Sequence, residues 1–190
     1  MGAYEHVIVL LSFVYALALT HLLSRIGALF VARKRVRFSA LLALAQANAI
    51  LIVLVNWLYL WNLHGIQTWS IMAIVLEFAF AATLFLLCVL SVPEAGTDGL
   101  VDMEAFFWEQ RQPFYATALA MDLIGIADLL YYSANSASGV GLKDVVVSSL
   151  FAVPHLLAFF VPARWAQWAG GVMLLMVISI WAVMFSGGLH

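Results

Sequence analysis

Six ionisable side chains stand inside long apolar runs of this sequence: His21, Arg25, Glu77, Asp122, Asp128 and His155. Neutral Gln46, Asn48 and Asn56 sit in similar surroundings. An ionisable group at membrane depth costs about 2.5–3.5 kcal/mol on insertion scales, so such groups face a bundle interior and pair or do chemistry there. Carboxylates and imidazoles so placed bind and release protons or hold small cations. His21 and Arg25 are four apart and share a helix face. Asp122 and Asp128 are six apart, about 120° around a helix, so they do not form one paired-carboxylate face. A rise of about 1.5 Å per residue gives each group a depth. Arg25 and Asp122 fall in the inner half, which predicts an Arg25–Asp122 ion pair. His21, Gln46, Asn48 and His155 fall near the middle. Glu77, Asn56 and Asp128 fall toward the outer side. One reading is a polar track crossing the bilayer: His6 with Glu5, Asp128 with Glu77, His155 with His21, Asp122 with Arg25. The other is a set of separate interhelical hydrogen bonds, about 0.6 kcal/mol each, that glue a bundle together.

Those depths presuppose spanning helices, and composition demands them. The chain has 190 residues, 66% hydrophobic and only 9% charged, with mean hydropathy +1.06. Soluble domains run at about 45–50% apolar and about 25% charged, so lipid is the solvent that fits. A hydrocarbon core of about 30 Å takes about 20 apolar residues of helix. Six segments qualify, at about 5–31, 38–61, 69–92, 113–134, 144–162 and 166–186. None alternates polar and apolar as barrel strands do, so the expected fold is all-α, one domain of six transmembrane helices. The N-terminus lacks a positive region and a cleavage pattern, so the first span reads as retained rather than as a signal peptide. Pro154 is expected to break the fifth span near mid-membrane. No residue-level repeat links the two halves.

Lys and Arg in short loops set orientation. Arg25, Arg33, Lys34, Arg35, Arg37, Arg111 and Arg164 fall on one side, and only Lys143 on the other. Both termini are therefore expected on the outer, periplasmic side. Trp57, Tyr59, Trp61, Trp69, Tyr131 and Tyr132 mark outer edges, and Trp108, Trp165 and Trp168 inner ones. The inner loop 93–112 contains DMEAFFWEQR, which fits either a short amphipathic helix on the inner surface or a helical run-in to the fourth span, with Pro113 restarting the chain. The loop is acidic where RKRVR is basic. The two can pair, but the favoured reading has RKRVR meeting anionic headgroups.

Ser12, Ala16, Thr20, Ser24 and Ala28 recur every four residues along the first span. This small-residue seam suits close helix approach, and so a homo-oligomer or a partner membrane subunit.

The pattern LSFVYALALTHLLSRIGALFVARKRVR, followed later by DMEAFFWEQRQPFYATALAMDLI, resembles a group of small bacterial polytopic inner-membrane proteins of unassigned function. Ala16 and Leu17 depart from the small-residue pair of that group. The resemblance implies a multi-pass bacterial cytoplasmic-membrane location and no particular chemistry.

The net charge of −2 supplies no basic field for nucleic acid. Cys88 is the only cysteine, which excludes an internal disulfide and multi-thiolate zinc. No glycine-rich phosphate loop, HExxH or Ser/His/Asp spacing points to an enzyme, and no metal ligand set is expected. Three classes remain. The first is a channel or carrier handling protons, ions or a small ligand through His21, Arg25, Asn48, Glu77, Asp128, Asp122 and His155. The second is a non-catalytic accessory or sensory subunit. The third is a haem b electron carrier, with His6 and His64 on an outer haem and His21 and His155 on an inner one.

Overall fold

The computed structural model describes residues 3–65, 69–95, 99–134 and 142–186. Residues 66–68 and 135–141 and the side chain of Lys143 lie outside the described residues. Among the described residues there are seven α-helices: α1 (Ala3–Val31), α2 (Ala40–Tyr59), α3 (Ile71–Leu90), α4 (Met103–Ala134), α5 (Leu142–Ser149), α6 (Ala152–Phe160) and α7 (Arg164–Ser186). Five of them, α1, α2, α3, α4 and α7, are long and apolar enough to cross a membrane. Large apolar side chains such as Phe13, Phe30, Ile71, Leu123 and Val183 are exposed around the bundle. Such a surface belongs in lipid.

The fifth expected span, 144–162, is not one helix. It breaks at Leu150 and Phe151, between α5 and α6. Pro154 explains the position. Its ring clashes with the carbonyl four residues back, which is that of Leu150, and it has no N–H to donate there. It is tolerated in the first turn of α6, where N–H groups have no helical partner. Pro113 behaves differently. It sits inside α4 without interrupting it, so the DMEAFFWEQR segment is the run-in of one 32-residue helix and not a separate surface helix.

The helices neighbour one another in the order α1, α3, α4, α6, α7, α2 and back to α1, with α5 against α4. Side-chain caps begin several of them. Ser39 Oγ accepts from the Leu42 N–H to start α2, and Ser70 Oγ accepts from the Ala73 N–H to start α3. Asp102 Oδ1 accepts from the Glu104 and Ala105 N–H groups, both at 3.0 Å, at the head of α4. Such caps satisfy amides that a helix start leaves open.

Contacts between chain turns define two ends. At one, Tyr4 Oη donates to the Leu60 carbonyl at 3.5 Å, and Ser70 and Tyr131 share a hydroxyl hydrogen bond of 2.6 Å. At the other, β1 (Val36–Arg37) pairs in parallel with β2 (Val101–Asp102). There Arg37 binds Asp102 at 2.9 Å, Arg25 binds Glu94 at 2.8 Å, and Arg164 lies 3.5 Å from Glu104, which also bonds Ser39. So the acidic and basic loops do pair through Arg37, against the expectation that the whole basic run meets headgroups. Arg33 lies over the Phe30 ring instead.

Candidate functional site

The buried ionisable groups gather in two clusters joined by α4. In the half of the bundle near Tyr4 and Tyr131, Glu77 of α3 and Asp128 of α4 are both buried and within electrostatic reach of each other. Each lies six residues from its helix end, so they share a level. Tyr15 of α1 and Tyr132 of α4 interact electrostatically with both carboxyls, and Tyr59 of α2 borders the same space. Four helices thus converge on two carboxyls. Among the described residues, Glu77 Oε1 and Asp128 Oδ1 are buried with no hydrogen-bond partner. No ion pair with a Lys, Arg or His is seen at either one among those residues. Burying a carboxyl without compensation is costly, so the arrangement does not add stability.

The second cluster lies about 9 Å further along α4, at about 1.5 Å per residue over six residues. His155 Nδ1 is 2.7 Å from Asp122 Oδ2, with the two side chains only 2% and 5% exposed. The Tyr115 ring flanks His155. Asp122 thus faces α6 while Asp128 faces α3, in keeping with their angular separation.

Below this pair, the C-terminal carbonyls of α6 are held from two sides. Arg111 of α4 donates to the carbonyls of Ala158 and Phe159, both at 2.8 Å. Gln167 of α7 donates to those of Ala158 at 2.9 Å and Val161 at 2.8 Å. A helix C-terminus leaves its last carbonyls open and carries partial negative charge, so a guanidinium fits there. Arg111, counted in the sequence as a loop charge that sets orientation, is buried within α4. Gln167 carried no signal in its residue type. Its spacing to Gly170, Gly171 and Leu174, all on one helical face, was the available clue.

Several expected partners differ. The Arg25–Asp122 pair does not form, because Arg25 reaches Glu94 and Asp122 is taken by His155. His21 packs against Phe85 of α3 and does not join His155, so the polar groups make two clusters and not one track. Asn48 donates to the Gly171 carbonyl at 2.9 Å, whereas Asn56 turns back to Ile52 of its own helix. Gln46 donates to the Ser91 carbonyl at the end of α3. Glu5 and His6 are exposed. The seam Ser12, Ala16, Thr20, Ser24 and Ala28 is not the buried face of α1. That face is Val7, Leu11, Tyr15, Ala18, Leu22 and Leu29, while Ala16, Thr20 and Ser24 are exposed.

A scan against protein-family models and searches of curated proteins and solved structures found no match. The chemistry therefore rests on the side chains themselves. The haem b arrangement does not fit them. His155 is 1% exposed, and the cavity beside it measures about 20 Å³, far below a porphyrin. His64 packs against the rings of Tyr4 and Trp61. Among the described residues, no group of three His, Cys, Asp or Glu side chains is placed to hold a metal ion.

Outside the apolar spans, Glu94 and Asp102 are among the carboxyls that titrate low. Arg25 holds the exposed Glu94 carboxyl below its ordinary range by hydrogen bond and charge. The Ala105 N–H, and then Arg37, do the same for Asp102.

Proposed function

We propose that this is a multi-pass membrane protein that handles protons, or a small bare cation, within or across the bilayer. Glu77 and Asp128 form its outer station, and Asp122 with His155 its inner one. One observation carries the reading. Two buried carboxyls on adjacent helices each keep an oxygen without a hydrogen-bond partner, and no ion-paired base accompanies them among the described residues. A site of that kind takes a proton or a small cation as its counter-charge.

The chain makes six passages, α5 and α6 together forming the fifth. The end with Arg33, Lys34, Arg35, Arg37 and Arg164 faces the cytoplasm and both termini face outward. The resemblance noted above suggests a bacterial cytoplasmic membrane.

The test is flux in liposomes carrying a pH-sensitive dye. Wild-type protein is expected to dissipate an imposed pH gradient, and Glu77→Gln and Asp122→Asn to slow it. A wild-type rate equal to that of empty liposomes, or one unchanged in both variants, overturns the reading.

The exposed Ala16, Thr20 and Ser24 face favours a second reading, an accessory or sensory subunit that docks a partner helix there, or a homo-oligomer. Cysteine cross-linking from Thr20→Cys in native membranes separates these. A cross-linked band containing another polypeptide supports the accessory reading. A band containing only this chain supports the oligomer.

A further inference from the structure

A small cavity opens between α2, α4, α6 and α7, lined among others by Asn48, Tyr115, His155 and Gln167. Asn48, His155 and Gln167 are 3%, 1% and 1% exposed. Both amides are fixed in orientation. Asn48 Nδ2 donates to the Gly171 carbonyl, and Gln167 Nε2 donates to the carbonyls of Ala158 and Val161. Carbonyls require a donor, so neither amide can be turned over. Asn48 Oδ1 and Gln167 Oε1 are thereby left buried with no hydrogen-bond partner among the described residues. The cavity offers two hydrogen-bond acceptors and a volume of about 20 Å³. About 10–15 Å³ of such volume admits one water, which needs two to four polar partners. A bare sodium ion calls for more oxygen ligands than two amides supply.

We propose that this cavity binds a single water, donating to Asn48 Oδ1 and Gln167 Oε1, which acts as the exit partner of His155. The imidazole lines the same cavity. Its Nδ1 is taken by Asp122, so Nε2 is the nitrogen left for the guest. The water's two hydrogens go to the amides, and its lone pairs accept from Nε2–H. A proton passed from Asp122 to Nδ1 is balanced by one leaving Nε2, so Asp122 ends as the carboxylate, the imidazole as its neutral Nδ1–H tautomer and the water as hydronium held by the two amide oxygens. Asn48 and Gln167 are positioning residues: they orient the water and do not themselves exchange protons. The relay role rests on the proton-handling reading above, whereas the water site stands without it.

X-ray hydroxyl-radical footprinting of the full chain in nanodiscs tests the site, because ordered buried water generates radicals in place. His155, Tyr115 and Leu174 are expected to be labelled several-fold above Leu11 and Leu84, which are buried in the core away from the cavity. The label is expected to fall in Gln167→Leu, and in Asn48→Leu should the first variant fail to fold. Labelling of these cavity residues no higher than Leu11 and Leu84 overturns the inference whatever the flux. In liposomes, Gln167→Leu is expected to slow proton flux roughly five- to tenfold, the scale of one lost hydrogen bond, while Gln167→Glu, which keeps an acceptor, restores part of it. Labelling that is present beside unchanged flux in Gln167→Leu overturns the relay and leaves the water site. No flux from wild-type protein overturns the proposed function alone.

Discussion

Asp122 shows how partner choice works in a lipid-solvated bundle. Depth alone allowed Arg25 or His155, since both helices reach the right level. Helix neighbourhood decided, because α4 packs on α6 and α3 while α1 packs on α3 and α2. The resulting pair buries both groups, so removing one member leaves the other without its partner in an apolar setting. Neutral interhelical hydrogen bonds in membranes average about 0.6 kcal/mol. Asp122→Ala is expected to cost more, about 2 kcal/mol, because it strands His155 Nδ1. Replacing both with leucine should recover part of that loss. Reversible unfolding in bicelles, read as a double-variant cycle, gives the numbers. Simple additivity of the two single variants would show that the contact carries no energy.

At the scale of elements, α6 is the unusual piece. It has only nine residues and is too short to span a membrane. Its start follows the break opposite Pro154, and its end is held by Arg111 and Gln167. Its flank is pressed against α7. A methyl group on Gly170 would lie 3.0 Å from the Pro154 carbonyl oxygen and 3.2 Å from Ala158 Cβ. That is backbone, which cannot swing aside. Gly27 of α1 is the natural control, with nothing within 4 Å of its added carbon. Gly170→Ala is expected to destabilise the protein by about 1–3 kcal/mol. Gly27→Ala should be neutral or stabilising by up to about 1 kcal/mol through helix propensity. Thermal unfolding in detergent checks the ordering. Equal midpoints for the two variants would mean that α6 and α7 do not pack this closely.

At the scale of the whole molecule, the ends differ in chemistry. One is stitched by Arg25–Glu94, Arg37–Asp102 and Arg164–Glu104, and the other by tyrosine and serine hydroxyls. Cys88 is fully buried, so cysteines placed elsewhere can be labelled over little background. Lys34→Cys is expected to react with an impermeant maleimide only in inverted vesicles, and Trp61→Cys only in spheroplasts. The reverse pattern would invert the proposed orientation. Reaction of both positions from one side would remove an odd number of passages between them.

Much of this was legible in the residues. Helices, their approximate limits and the lipid-facing surface follow from apolar run length, which is a local property. So does the list of polar groups that must find partners, because the cost of burying a charge does not depend on which helix carries it. Pro154 announced a break, and the ring clash with Leu150 set where it falls. Pairings were not legible. Two groups at equal depth meet only if their helices are neighbours and their faces turn inward, and neither condition is written in a single run of residues. Tyr15 looked like one more apolar-span aromatic until α1 turned it toward Glu77 and Asp128. Arg111 looked like a loop charge until α4 extended past it and the open carbonyls of α6 arrived within 2.8 Å. The sequence by itself determined that lipid is the solvent and which side chains are costly there. Only the tertiary structure decided that those side chains form two clusters, because helix neighbourhood is set by packing among all the helices at once.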